Sequence, residues 1–371
     1  MQLERPAHGG FVVGRADGKV VFTTGGLPGE RVLVEITDTG KSFDRGRVVE
    51  VLEPAPGRVE PPCPIAGECG GCDWQHADSE TQLELKTAVV AEQLERLAGL
   101  NWTGRVQAVP GGQTGWRTRV RYAVDDDGRV GFRARRSHDV VPLPEEGCLI
   151  AAPGPSVAEL DAAARRFEEL KVTVSDSGVT MTAGRRVDGP DPVRQRVHGR
   201  DYLVGANGFW QVHPAAASTL TTAVLDGLRP REGERALDLY CGVGLFAGAL
   251  VDAGCMVEGA ELAKDAVSLA RRNVPEATFV AVPIERSHRE LPDWADLVVL
   301  DPPRKGAGAA VVRAIAARGP RAIAYVACDP AALARDLKTF AVEGYEAVSI
   351  EAFDLFPMTH HVECVAILHP A

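Results

Sequence analysis

Alternating apolar and polar positions dominate the first sixty residues and return in the middle of the chain. Val12-Val13, Lys19 to Phe22, Arg31 to Ile36 and Arg47 to Leu52 are short strand-like runs. Asp17-Gly18, Gly25-Gly26, Pro28-Gly29 and Thr39-Gly40 are turn signals between them. Short strands at this spacing predict a small β-barrel over residues 1–58. Ser79-Glu80-Thr81-Gln82 reads as a capping box opening a helix to about Ala98, with Leu83, Val90, Leu94 and Leu97 on its apolar face. Period two resumes from Trp116 to Arg136. Arg117, Arg119 and Arg121 fall opposite Trp116, Val120, Tyr122 and Val124, and after the Asp125–Gly128 turn, Arg129, Arg133 and Arg135 fall opposite Val130 and Phe132. Ser156 and Glu159 cap a second helix to Leu170, and strand-like segments at 171–183 and 193–204 complete a central α+β domain over residues 59–205. From 206 to 371 strands and helices alternate, as in a doubly wound parallel sheet. The fold class expected is multidomain α/β.

Composition narrows the class. A length of 371 residues allows two or three domains, and 45% hydrophobic with 25% charged residues describes an ordinary water-soluble chain. No apolar run reaches the ~20 residues of a membrane span, and the polar start lacks a signal-peptide core. The expectation is a cytoplasmic monomer with no membrane partner. A net charge of −10 argues against nucleic-acid binding by the whole surface but leaves room for a local basic patch. The arginine-rich face of the hairpin is such a patch. Facing guanidinium groups destabilise a sheet unless an anion covers them, and a phosphate backbone is the obvious anion. A solvated face neutralised by nearby carboxylates is the alternative.

Eight cysteines in a reducing compartment need a role other than disulfides. Cys63, Cys69 and Cys72, separated by small residues, can converge on one soft metal centre, with Cys148 as the fourth ligand; spacing alone leaves zinc and a [4Fe–4S] cluster open. Cys328 ends the apolar run 322–327 and precedes Asp329-Pro330, an N-cap and first helical residue. A thiol there is expected to have its ordinary pKa of ~8.5 lowered by the helix N-terminus. Cys241, Cys255 and Cys364 read as core residues.

The run Asp238-Leu239-Tyr240-Cys241-Gly242-Val243-Gly244 is strand, glycine turn, then helix. Alone it does not separate NAD from S-adenosylmethionine, and Glu261, ending the next strand, could hold the ribose of either. Leu300-Asp301-Pro302-Pro303-Arg304 breaks the tie, with an acidic residue and a Pro-Pro turn at a strand's carboxyl end. Arg304 stands where amino-directed methyltransferases carry an aromatic residue.

Leu27-Pro28-Gly29-Glu30-Arg31-Val32 resembles a TRAM domain, an RNA-binding OB-like barrel. Asp301-Pro302-Pro303-Arg304-x-Gly306, Tyr325-x-x-Cys328-Asp329-Pro330 and Phe356-Pro357-Met358-Thr359-His360-His361-Val362-Glu363 resemble the RNA uracil-5-methyltransferase family, the class I enzymes that make 5-methyluridine. The resemblance implies a Rossmann-like catalytic domain at 206–371, with Cys328 as nucleophile and Glu363 as general base. Gln211, Tyr240, Gly242, Gly244, Glu261 and Asp301 would lie at the S-adenosylmethionine site, and Arg304 with the hairpin arginines would meet RNA. The cysteine tetrad would hold the [4Fe–4S] cluster of the ribosomal branch, which leans the target to 23S rRNA over tRNA. Leu245 and Pro283 depart from the family pattern and receive no role. The chemistry needs such a pair: a thiolate at carbon 6 of uracil makes carbon 5 nucleophilic, and a base must then remove the carbon 5 proton. A nicotinamide-dependent oxidoreductase with an accessory cluster, and a noncatalytic RNA-binding protein, are the competing readings.

Overall fold

The computed structural model describes the backbone of all 371 residues and every side chain except those of His288 and Arg289. Five strands form the N-terminal sheet, in spatial order Leu3–Ala7, Phe11–Ala16, Lys19–Thr24, Phe43–Glu53, Arg31–Thr39. Its two outer strands meet only through a bridge between Gln2 and Arg31, around a core of Leu3, Val12 and Val32. The fully buried carboxylate of Glu30 organises its base. It accepts bonds from the Leu27 N–H at 2.8 Å, the Ala55 N–H at 3.2 Å and the Arg58 guanidinium at 2.5 and 2.8 Å. A buried charge is tolerated when every lone pair is so occupied.

The central sheet has six antiparallel strands, ordered Arg186–Asp188, Gly178–Ala183, Glu169–Ser175, Arg119–Val124, Val130–Arg133, Val140–Pro142. Helix Val157–Ala164 packs on it and carries the expected Ser156–Glu159 capping box. It ends at Ala164, short of the expected Leu170, because Glu169–Ser175 is already a strand. Helix Ser79–Ala98 is capped by Asp78, whose Oδ1 accepts the Thr81 N–H at 2.8 Å, so Ser79 is not the cap. Gln82 turns to the Ala77 carbonyl and the Met358 sulfur and cannot complete a capping box.

The C-terminal sheet has eight strands, ordered Thr278–Ala281, Met256–Glu261, Arg235–Leu239, Leu297–Leu300, Ala322–Ala327, Glu363–Pro370, Tyr345–Asp354, Val106–Ala108. It is the expected doubly wound, largely parallel sheet, in which Glu363–Pro370 runs antiparallel to both of its neighbours. Three elements expected in the central domain also pack here. Val106–Ala108 pairs with Tyr345–Asp354, Val90 and Leu94 of the first helix join one apolar face, and Val193, Tyr202 and Val204 join the other. Side-chain alternation in 193–204 marked strands but could not say which core would receive them.

Candidate active site

Cys328 and Glu363 meet at one end of the sheet. Ala327 pairs with Cys364 in the antiparallel ladder, so one step outward places Cys328 opposite Glu363. Glu363 is 3% exposed and starts an interior strand, not the solvated edge strand that a purely structural role would suit. Asp329 caps helix Pro330–Val342, accepting the Ala332 N–H at 2.8 Å, as the sequence indicates. His8 from the N-terminal sheet lies 3.0 Å from the Asp329 carboxylate.

The thiol is not acidified. Burial first, then the negative charges of Glu363 and Asp301, push the Cys328 thiol up to about 12, and only Arg304 opposes them. This corrects the expected lowering by the helix N-terminus: desolvation and two carboxylates outweigh the helix end. Burial and Asp301 likewise push Glu363 well above the ordinary carboxylate range, with Arg304 again opposing. Burial also pushes Asp301 up to about 7.

One cleft of about 2030 Å³ contains Cys328 and Glu363 together with Gln211, Tyr240, Gly242, Glu261, Asp301 and Arg304. That exceeds the space a single small ligand takes, and admits a nucleotide beside a cofactor. Tyr240 holds φ +62°, which turns the chain away from the strand end. The Glu261 carboxylate accepts the Gly242 N–H at 3.3 Å and the Ala263 N–H at 2.8 Å. A Cβ at Gly242 would meet no protein atom within 4 Å, so this turn lies open to a ligand. Helix Leu245–Asp252 opens at this turn, and the buried Asp238 carboxylate accepts its Ala247 N–H at 2.8 Å. Gly244 does not line the cleft: its φ is +92°, and a side chain there would press on Val274 and Phe279, which makes it a packing position. Leu245 is buried in the core, which explains its apolar identity, whereas Pro283 lines the cleft.

Arg117, Arg121, Arg133 and Arg135 border the same cleft. Arg119 does not. Its guanidinium turns inward and donates to the carbonyls of Gly205, Ala206 and Gly208 at 3.4, 3.2 and 2.7 Å, holding the loop that carries Gln211. Arg119 is thus removed from the expected RNA contacts. Arg129 closes its own turn on Asp125 and Asp127.

Cys63, Cys69, Cys72 and Cys148 line one small cavity, walled by Ile65, Phe132, Leu143 and Ile150. All four are free thiols, and burial pushes Cys72 up to about 12. Among the described residues, no three Cys, His, Asp or Glu side chains close on a point that would grip a single metal ion.

Sequence reading assigned no work to Asp73, Lys86, Asp336 or His361. Asp336 accepts the Tyr325 hydroxyl at 2.7 Å and the Ala307 N–H at 2.7 Å, tying the Asp301–Gly308 loop to helix Pro330–Val342. A carboxylate among Leu333, Leu337 and Phe340 was its available signal. Lys86, 1% exposed, donates to Asp354 at 2.5 Å and to the Phe356 carbonyl at 3.0 Å. Its partners lie more than 260 positions away, so no local pattern announced it.

An eight-strand sheet with one reversed strand, an acidic residue at the end of strand Met256–Glu261 and a cleft over the carboxyl ends define a class I methyltransferase fold joined to a five-strand N-terminal sheet, which is not closed into the expected barrel. A family model described as tRNA (Uracil-5-)-methyltransferase matches residues 290–370, and a TRAM domain model matches residues 2–49. An uncharacterized RNA methyltransferase of Streptomyces avermitilis is 48% identical, covering 98% of this chain and 96% of its own. Another from Corynebacterium efficiens is 37% identical, covering 99% and 93%. The crystal structure of Pyrococcus abyssi tRNA (uracil-54, C5)-methyltransferase in complex with S-adenosyl-L-homocysteine is 25% identical, covering 99% of this chain and 98% of that one, with a TM-score of 0.78. This chain belongs to the S-adenosylmethionine-dependent RNA (uracil-5-)-methyltransferase family. Among the described residues, no helix is long and apolar enough to cross a membrane.

Proposed function

We propose that the protein methylates carbon 5 of one uridine in RNA, working as a cytoplasmic monomer, with Cys328 as nucleophile and Glu363 as base. The observation that carries this reading is the ladder register that sets Cys328 opposite Glu363 in a cleft shared with Tyr240, Glu261 and Asp301. Gln211, Tyr240, Gly242, Glu261 and Asp301 would hold S-adenosylmethionine, which supplies a methyl group on a sulfonium. The Cys328 sulfur adds to carbon 6 and the ring electrons move to the carbon 4 oxygen. Carbon 5 takes the methyl group, Glu363 removes the carbon 5 proton, and the returning electrons expel the thiolate. Arg304, with Arg117, Arg121, Arg133 and Arg135 at the rim, would meet the RNA backbone. The base must leave its stack to reach the cleft, which costs a few kcal/mol and favours unpaired sites.

Four free thiols facing one small cavity are a donor set suited to a soft metal centre, and the family resemblance favours a [4Fe–4S] cluster over zinc. Cys63, Cys69, Cys72 and Cys148 would hold it, and it would cross-link the 63–72 segment to the loop at 148. Iron and sulfide bound in stoichiometric amount by anaerobically purified protein supports this, and stoichiometric zinc refutes it. The tetrad leans the target to 23S rRNA; whole-chain likeness to the Pyrococcus enzyme supports a tRNA uridine as the second reading.

Two experiments test the function. RNA carrying 5-fluorouridine should become covalently trapped on the protein when methyl donor is present, because fluorine at carbon 5 cannot leave as a proton. Cys328→Ala should abolish the trapped species, and trapping by that variant at the wild-type rate refutes the mechanism. Mapping 5-methyluridine in rRNA and tRNA from cells with and without the gene identifies the target.

A further inference from the structure

Arg304 lines the same cleft as Cys328 and Glu363, and its charge opposes the carboxylates around them. It lies on the exposed loop after strand Leu297–Leu300, where a long flexible side chain needs something to aim it. Its Nη2 lies 3.2 Å from the Nε2 of His361. A guanidinium only donates, so this nitrogen of His361 must accept, and the ring must be neutral with its proton on Nδ1. Burial, then the charges of His360 and Arg304, keep it so, pushing His361 down to about 3.

His361 is itself held. Its ring meets Phe356 edge-on at 5.8 Å and lies 4.1 Å from the ring of His360. The Asp73 carboxylate takes the His360 ring Nδ1 at 2.6 Å and its backbone N–H at 2.9 Å, and it also pairs with Arg135. The Asp73 and Trp74 N–H groups both donate to the Met358 carbonyl, at 2.9 and 3.0 Å. The loop from Phe356 to Val362 thus hangs from the segment that follows Cys72.

We propose that His361 is a positioning residue: as a neutral acceptor it fixes the Arg304 guanidinium toward Cys328 and Glu363, with Asp73 and His360 as its anchor. There the positive charge favours the thiolate that attacks uracil. This rests on the uridine chemistry proposed above. The groups facing Cys328 are Glu363, Asp301 and Asp329, all acidic, with Arg304 opposing them, and His8 pairs with Asp329. Without a fixed Arg304 the thiol would ionise at still higher pH.

The test measures the rate at which full-length protein is trapped on 5-fluorouridine RNA, as a function of pH. His361→Phe should slow trapping at neutral pH by about tenfold, the equivalent of one pKa unit in thiolate supply. It should move the rise in rate to higher pH and leave S-adenosylmethionine affinity unchanged. His361→Gln, whose amide oxygen can still accept from Arg304, should recover most of the rate. In an Arg304→Gln background, adding His361→Phe should change nothing further. A wild-type pH profile for His361→Phe overturns the proposal, as do losses that multiply in the double variant. If His361→Phe does not fold, Arg304→Gln decides, and an unshifted profile there overturns the proposal. Failure of the wild type itself to trap would instead remove the uridine reading, and this inference with it.

Discussion

Glu363 shows how a residue proposed as the base is held at a cost in stability. Its carboxyl is buried beside Asp301 and is pushed above its ordinary value of 4.5. Between that value and the raised one, the folded protein keeps a proton that the unfolded chain has released. Stability therefore falls as pH rises through that window. Glu363→Gln should raise the melting temperature, more at alkaline than at acidic pH. It should also stop turnover after methyl transfer, so that an RNA–protein adduct accumulates on unfluorinated RNA. Thermal melts across pH and denaturing gels check the two halves. Cys328 was found from a strand-to-helix junction, but its ionisation was misread. The helix end is visible in sequence, while Asp301 and Glu363 approach the thiol only in three dimensions.

At the scale of elements, long-range polar ties position the catalytic loops. Lys86 anchors the first helix to Asp354 and to the Phe356 carbonyl, at the start of the loop that leads to Glu363. Removing one partner of a buried ion pair strands the other charge. Lys86→Ala should cost about 3–5 kcal/mol, read by chemical denaturation. Asp336 takes backbone N–H groups of Ala307 and Gly308 as well as the Tyr325 hydroxyl. Asp336→Ala should loosen the Asp301–Gly308 loop, with a loss of S-adenosylmethionine affinity of about tenfold, or ~1.4 kcal/mol. Isothermal titration measures it, and unchanged affinity would mean the loop holds its shape alone. Helix caps at Ser156 and Asp329 were legible because capping is local. The first helix was correctly bounded, yet its cap fell one residue earlier, where Asp78 competes better than Ser79.

In the whole molecule the central sheet, the catalytic-domain sheet and the cysteine segment meet at one cleft. The central sheet reaches it through Arg121 and Arg133, while the N-terminal sheet docks behind it, where His8 meets Asp329 at 3.0 Å. The cysteine segment reaches it through Asp73. If the tetrad holds a cluster, its removal frees the segment that suspends residues 356–362. Chelation or oxidation of the protein should therefore lower the melting temperature and also slow trapping of 5-fluorouridine RNA. A melt that shifts while trapping does not would separate the cysteine segment from the catalytic loop.

Periodicity, caps and turn residues are local, and they were enough to determine most strands, the ends of the main helices and the strand-end positions of Cys328, Asp301 and Glu261. The motifs around them also carried the family. Three features came only from tertiary structure: the reversal of Glu363–Pro370, the assignment of 193–204 to the catalytic core, and the inward turn of Arg119. An alternating strand reads the same in either direction and against either core, and an arginine reads the same whether it faces phosphate or a backbone carbonyl. Strand pairing and burial, which join residues hundreds of positions apart, made those choices.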